Sequence, residues 1–201
     1  VARLTLSKAS LTTQGARLRT YERYLPALDL KRRQLISERA RAAEQLEHTD
    51  RAIAALRARV SSELPMASDL EVEVTDLVTV AGVVLGEDNL MGVRLPRLER
   101  VDLDHRPYAL LAKPEWVDRL AVLLATLLEL RVLRQVQEQR LALLAEAVRT
   151  ITQRVNLFEK VLIPRTRANI KRIRIVLADG ERAAVVRAKI AKAKRVRELW
   201  A

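Results

Sequence analysis

Apolar residues recur every seven positions along two long stretches of this chain, and a short stretch between them alternates apolar with polar residues. In the later stretch, Trp116, Leu123, Leu130, Gln137, Leu144, Ile151 and Phe158 fall seven apart. Leu120, Leu127, Arg134, Leu141, Val148, Val155 and Leu162 fill the companion positions. Twelve of these fourteen are apolar, where the overall 49% would supply about seven. A seven-residue repeat keeps one apolar seam turned toward a partner helix and predicts a left-handed coiled coil. The earlier stretch repeats less cleanly. Leu4, Leu11, Leu18, Leu25, Leu46, Ile53 and Val60 share one seam position, interrupted by Arg32 and Arg39. Tyr21, Leu28, Leu35, Ala42 and Leu56 share the other, interrupted by Ser7, Gln14, Thr49 and Glu63. The arginine stems are expected to lie along the seam while their charges reach water.

Prolines punctuate both arms. Pro26 removes a helical hydrogen bond and clashes with the preceding turn, so the first arm is expected to bend near 22–26 or to restart as a second helix. Pro164 interrupts the second arm, whose pattern runs on through Ile170, Ile173 and Leu177. Pro65 ends the first arm and Pro114 precedes the second. Between them, residues 70–74 alternate strictly, and 78–85 is rich in β-branched residues. Residues 86–89 read as a polar turn, with 93–95 and 98–103 returning as a second strand that Pro96 confines to an edge or bulge. A lone hairpin is marginal in water, so it should pack on the arms or on a partner. The fold expected is mainly α: a long two-helix antiparallel coiled coil with a short central β-hairpin. Its parts are an N-terminal helix at 1–64, a hairpin and loop segment at 65–114, and a C-terminal helix with a basic tail at 115–201. The second arm outruns the first by about 25 residues, roughly 37 Å of helix.

Charge sharpens this picture. The net charge is +12, and residues 163–201 alone carry twelve basic and three acidic residues. A basic block of this kind marks a solvated helix face or a surface for an acidic partner. Aromatics make up only 3%, without the interleaving that base stacking needs, so nucleic acid is not expected as a partner. No cysteine is present, which excludes disulfides and thiol nucleophiles and permits a cytoplasmic setting. The longest uncharged stretches run about ten residues, and a span needs roughly 20 apolar ones, so no membrane span is expected.

Candidate chemistry is sparse. His48 lies off the seam and His105 sits in a polar loop at 104–107, neither with metal-ligand spacing. Gly82-Val83-Val84-Leu85-Gly86 leads into Glu87-Asp88 rather than Lys-Ser or Lys-Thr, which rules out a phosphate-binding loop. The reading is a non-catalytic protein with no cofactor, no metal and no catalytic residue. A basic coiled-coil nucleic-acid binder and a homo-oligomeric scaffold are the alternatives left by pattern alone.

Four passages together carry a resemblance. They are Leu4-Thr5-Leu6-Ser7-Lys8 with Leu18 and 27–36; Asn89-Leu90-Met91-Gly92-Val93-Arg94-Leu95-Pro96; Arg154-Val155-Asn156-Leu157-Phe158-Glu159-Lys160-Val161-Leu162-Ile163-Pro164; and Gly180-Glu181-Arg182 with the basic run that follows. In this order they resemble the D-subunit family of the V-type and A-type rotary ATPases. Leu157 and Phe158 stand where that family usually has Ala and Leu. The resemblance implies a central rotor shaft that couples ATP hydrolysis or synthesis to rotation of an ion-translocating membrane rotor. It implies as partners the catalytic A and non-catalytic B subunits, a small F subunit and a rotor-neck subunit, in a cytoplasmic sector peripheral to the membrane. On this reading Arg154, Val155, Asn156, Glu159, Val161, Ile163 and Pro164 pack the rotor. Asn89, Leu90, Met91, Gly92, Val93, Leu95 and Pro96 meet another rotor subunit, and Arg187, Lys189, Lys192, Lys194, Arg195 and Arg197 bear on the catalytic ring.

Overall fold

The structure, a computed structural model, describes residues 4–68, 76–106 and 114–199, with side chains described as far as residue 195 except at 67 and 68. Helix α1 spans Lys8–Glu63. It opens on Ser7, whose hydroxyl accepts the Ser10 N–H at 3.2 Å, a capping contact for an otherwise unpaired donor. It closes where Leu64 N–H reaches Val60 O at 2.9 Å and the chain turns into a 3-10 segment, Pro65–Ser68. Pro26 lies inside α1 without interrupting it, so no second helix begins there. The physical reason is exposure. Pro26 and Glu22 both face water, and the Glu22 carbonyl freed by the missing N–H stays solvated.

The predicted seam is the face that α1 buries. Leu35, Ala42, Thr49 and Ile53 are buried, and the remaining apolar seam residues are half-buried. Thr49 fits because its hydroxyl donates to the Gln45 carbonyl at 3.1 Å and leaves its methyl for packing. Arg39 is exposed and Arg32 half-buried.

The second arm is helix α2 (Trp116–Asn156), a π-helical turn (Leu157–Leu162) and helix α3 (Ile163–Leu199). Leu120, Leu123, Leu144, Ile151 and Val155, all on the predicted seam, are buried. Past Val155 the phase changes. A strict continuation of the repeat through Leu162 would bury Arg165, Asn169, Arg172 and Val176. The buried residues are instead Ile163, Thr166, Ile170 and Ile173, with Leu177 half-buried. Each lies one residue later than the strict repeat places it. A π turn holds one residue more than an α turn and absorbs that offset, seen in the Ile163 N–H bonding back to the Phe158 carbonyl. Pro164 follows at once. It has no N–H to give the Lys160 carbonyl and its ring would crowd that carbonyl in a regular helix, so a loosened turn suits it.

The central hairpin joins β1 (Val78–Leu90) to β2 (Val93–His105), antiparallel and two-stranded. Its turn is not at 86–89. Those residues lie in β1, opposite Arg97, Pro96, Leu95 and Arg94, and the reversal is made by Met91 and Gly92. Both have positive φ, 52° and 81°, the mirror-image turn that matches strand twist. The Asn89 side-chain oxygen accepts the Gly92 N–H at 2.8 Å and pins it. His105 ends β2 opposite Val78 rather than sitting in a loop. Pro96 is tolerated because each strand of a two-stranded sheet has an unpaired edge. Residues 70–74, read as strand, lie outside the described residues.

The chain divides into two compact units: Val1–Lys31 with Ile151–Ala201, and Arg32–Thr150. In the first, Tyr21 meets Phe158 edge to face, centroids 5.4 Å apart, and Arg167 bonds Glu22 at 2.7 Å. In the second, Arg134 bonds Asp50 at 2.7 Å and Arg119 bonds Glu63 at 3.2 Å. The pairs Asp50–Arg134 and Glu63–Arg119 run in opposite directions along the two arms, so the arms are antiparallel in this unit. The second unit also holds an apolar cluster in which Leu64, Leu77, Val78, Val117, Leu120, Ala121 and Leu123 are buried against Leu56, Val60 and Leu103. Val117 and Ala121 lie off the seam and are buried in this same cluster, which takes in the base of the hairpin.

Candidate interaction surfaces

Three sets of residues stand out for recognition, and the structure treats them differently. At the hairpin tip, Leu90, Met91, Val93 and Pro96 are half-buried, while Asn89 and Gly92 are exposed. Leu95 is fully buried at 0% exposure. That corrects its reading as a contact residue: facing inward on the alternating strand, it packs the hairpin and is not offered to a partner. Beside it, Arg140 of α2 donates to Asp88 at 3.0 Å and to the Pro96 carbonyl at 3.5 Å. Arg97 adds a second cation to Asp88 at 3.3 Å. This clasp fastens the tip to α2. No local pattern announces it, because 52 residues separate Arg140 from Asp88.

Around the π turn, Val155 and Ile163 are buried in the seam and Asn156 is half-buried. Arg154, Glu159, Val161 and Pro164 are exposed, with Val161 at 47% and Leu157 at 46%. Phe158, still on the strict repeat, meets Tyr21, while Leu157 and Val161 lie outside.

Along α3, every residue from 178 to 195 is exposed. Arg187, Lys189, Lys192, Lys194 and Arg195 therefore point into solvent, and at about 100° per residue they spread around the whole helix rather than forming one face. Val185, Val186 and Ile190 are exposed among them. The Arg197 side chain lies outside the described residues.

The electrostatics are those of surface ion pairs. Glu63 is held below the usual carboxylate range, first by its hydrogen bond from Arg59 and then by that from Arg119. Among the described residues no group of His, Cys, Asp and Glu could hold a metal ion. No described helix is long and apolar enough to cross a membrane. What the arrangement offers is a stiff paired seam, a clasped hairpin and a free-standing cationic helix.

Comparison with known proteins bears on the chain as a whole. The family model that matches residues 10–193 is that of the ATP synthase D subunit. The V-type ATP synthase D subunit of Borreliella burgdorferi is 32% identical over 198 residues, covering 98% of each chain. That of Chlamydia pneumoniae is 30% identical over 194 residues, covering 94% of this chain and 91% of its own. That of Chlamydia muridarum is 32% identical over 198 residues, covering 96% of each.

Proposed function

This chain belongs to the ATP synthase D-subunit family, and from that premise we propose that it is a non-catalytic shaft carrying torque between a ring of A and B subunits and the membrane rotor. The observation that carries this reading is the antiparallel pairing of the two arms. Two helices locked along a seam resist twisting better than one, and side-chain packing rather than isolated surface pairs supplies the lock. Shaft work asks for no nucleophile or nucleotide pocket of its own. The placement follows as a peripheral, cytoplasmic sector.

The three surfaces take their parts from this reading. The exposed helix at 178–195 bears on the A/B ring through flexible, hydrated cations in which no single pair dominates. Met91, Leu90 and Val93 at the tip meet the small F subunit or the rotor neck, with Leu95 withdrawn from that role. Arg154 precedes the turn that sets the seam phase, and Glu159 lies within it.

The test uses the absence of cysteine. A single Cys at the exposed Thr79, away from the hairpin tip, accepts a bead on a complex whose A/B ring is fixed to a surface. ATP should drive unidirectional rotation of the bead. A bead that stays still while the same complexes hydrolyse ATP would overturn the shaft reading.

A further inference from the structure

A second recognition feature lies in the first unit, on the paired part of the arms rather than on the exposed end of α3. A groove of about 610 Å³ runs there, with Leu18, Ile170 and Ile175 among its lining and Gly15 on its wall. Its rim carries Arg19, Arg167, Lys171 and Arg174. Arg167 is paired with Glu22, but Arg19, Lys171 and Arg174 make no ion pair among the described residues.

Gly15 is the telling residue. A glycine inside a helix costs about 1 kcal/mol against alanine, so its presence asks for a reason. Its backbone supplies none, since its φ is not positive. Internal packing supplies none either: a Cβ built on Gly15 would meet nothing within 4 Å. What the missing side chain does is keep the groove open, as glycine does where another group approaches a backbone closely.

Charge says what approaches. The first unit has 20 basic and 6 acidic residues, a net +14, while the second has 17 and 19, a net −2. The whole excess of positive charge therefore sits on the unit that holds the groove. An apolar groove with unpaired cations on its rim complements a protruding apolar side chain flanked by carboxylates.

We infer that the Gly15 groove is a docking site for an acidic protein segment that inserts one apolar side chain, donated by the ring that surrounds the shaft. This rests on the shaft reading and goes beyond it in placing a shaped contact on the paired arms, in addition to the diffuse contact along 178–195. The anchor enters over Gly15, and its carboxylates reach Lys171 and Arg174.

The experiment measures binding of the full chain to a ring reconstituted from A and B subunits. Gly15→Leu fills the groove and should weaken binding at least tenfold, while Gly15→Ala, which leaves most of the volume, should not. Lys171→Glu with Arg174→Glu should weaken binding to a similar degree and make it less sensitive to salt. Thermal unfolding by circular dichroism serves as the folding control; should Gly15→Leu prove unstable, Thr12→Phe crowds the same groove from an exposed position. Wild-type affinity in these groove-filling variants would overturn the inference and leave the shaft intact. A wild-type chain that does not bind the ring would remove both. Saturable binding of a short DNA duplex, abolished by Gly15→Leu, would assign the groove to phosphate and overturn it too.

Discussion

The two compact units are cut from the same pair of arms, yet they are held together by different means. The unit of Arg32–Thr150 has a cluster of buried aliphatic side chains at the hairpin base, a buried Leu95, and cross-arm ion pairs at Asp50 and Glu63. Its charge nearly balances. The unit of Val1–Lys31 with Ile151–Ala201 has the Tyr21–Phe158 aromatic contact, a π turn and a net +14. Self-repulsion works against compactness where charge accumulates. Both units expose large apolar side chains, but one is built around its own core and the other carries the whole excess of cationic groups. In a shaft, the first pattern suits stiffness, and the second suits the ring contact proposed above.

The widest separation between the two should appear in core truncation. Leu95→Ala removes a fully buried side chain from the second unit and should cost about 2–5 kcal/mol, read from urea unfolding. Val185→Ala, at a position 56% exposed in the first unit, should change stability by no more than about 0.5 kcal/mol. Equal effects would erase the contrast.

Next in size is the phase of the seam. An alanine inserted after Lys160 would rotate Thr166, Ile170 and Ile173 off the seam by about 100° and should cost roughly 2–3 kcal/mol. Removing Lys160 in a Pro164→Ala background should be far milder, because the π turn can close to an α turn with the downstream seam in place. A deletion as damaging as the insertion would show that the turn does not hold the extra residue.

These variants also mark how far the pattern of residues reaches by itself. The heptad positions from Leu4 to Val60 and from Trp116 to Val155 are legible because period alone decides which face a helix buries. The jump of phase at Pro164 is present in Ile170, Ile173 and Leu177, but reading it requires knowing that a helix can absorb one residue. Polar residues normally mark turns, which points to 86–89, whereas here Met91 accepts a positive φ and Asn89 supplies the hydrogen bond. The clasp at Arg140 and the groove at Gly15 depend on residues more than fifty apart, which no local pattern joins.

A smaller effect tests the second unit from its weak point. The Gln137 side-chain oxygen is buried with no hydrogen-bond partner among the described residues. An unsatisfied buried carbonyl is costly, so Gln137→Leu should raise stability by about 1 kcal/mol, with a higher urea midpoint at unchanged slope. A lower midpoint would mean that this seam glutamine sets register rather than sitting as a defect.

The smallest expected effect concerns pH. Glu63 closes the second unit with hydrogen bonds from Arg59 at 2.6 Å and Arg119 at 3.2 Å, and these hold its carboxyl below the ordinary range. A carboxyl depressed in the folded state binds its proton more readily once unfolded, so its contribution is complete above the unfolded value, about 4.3. That contribution fades as pH falls through the lower folded value. Glu63→Gln should therefore be slightly less stable than the wild type at neutral pH, and the gap should close on acidification below about pH 4. The first unit offers a control in Glu22→Gln, which breaks the pair with Arg167 but removes negative charge from a unit already strongly positive. Its penalty should grow as salt is lowered, whereas that of Glu63→Gln should respond less, because its surroundings are close to neutral. Salt responses of equal size would show that the imbalance of charge between the two units does not reach these pairs.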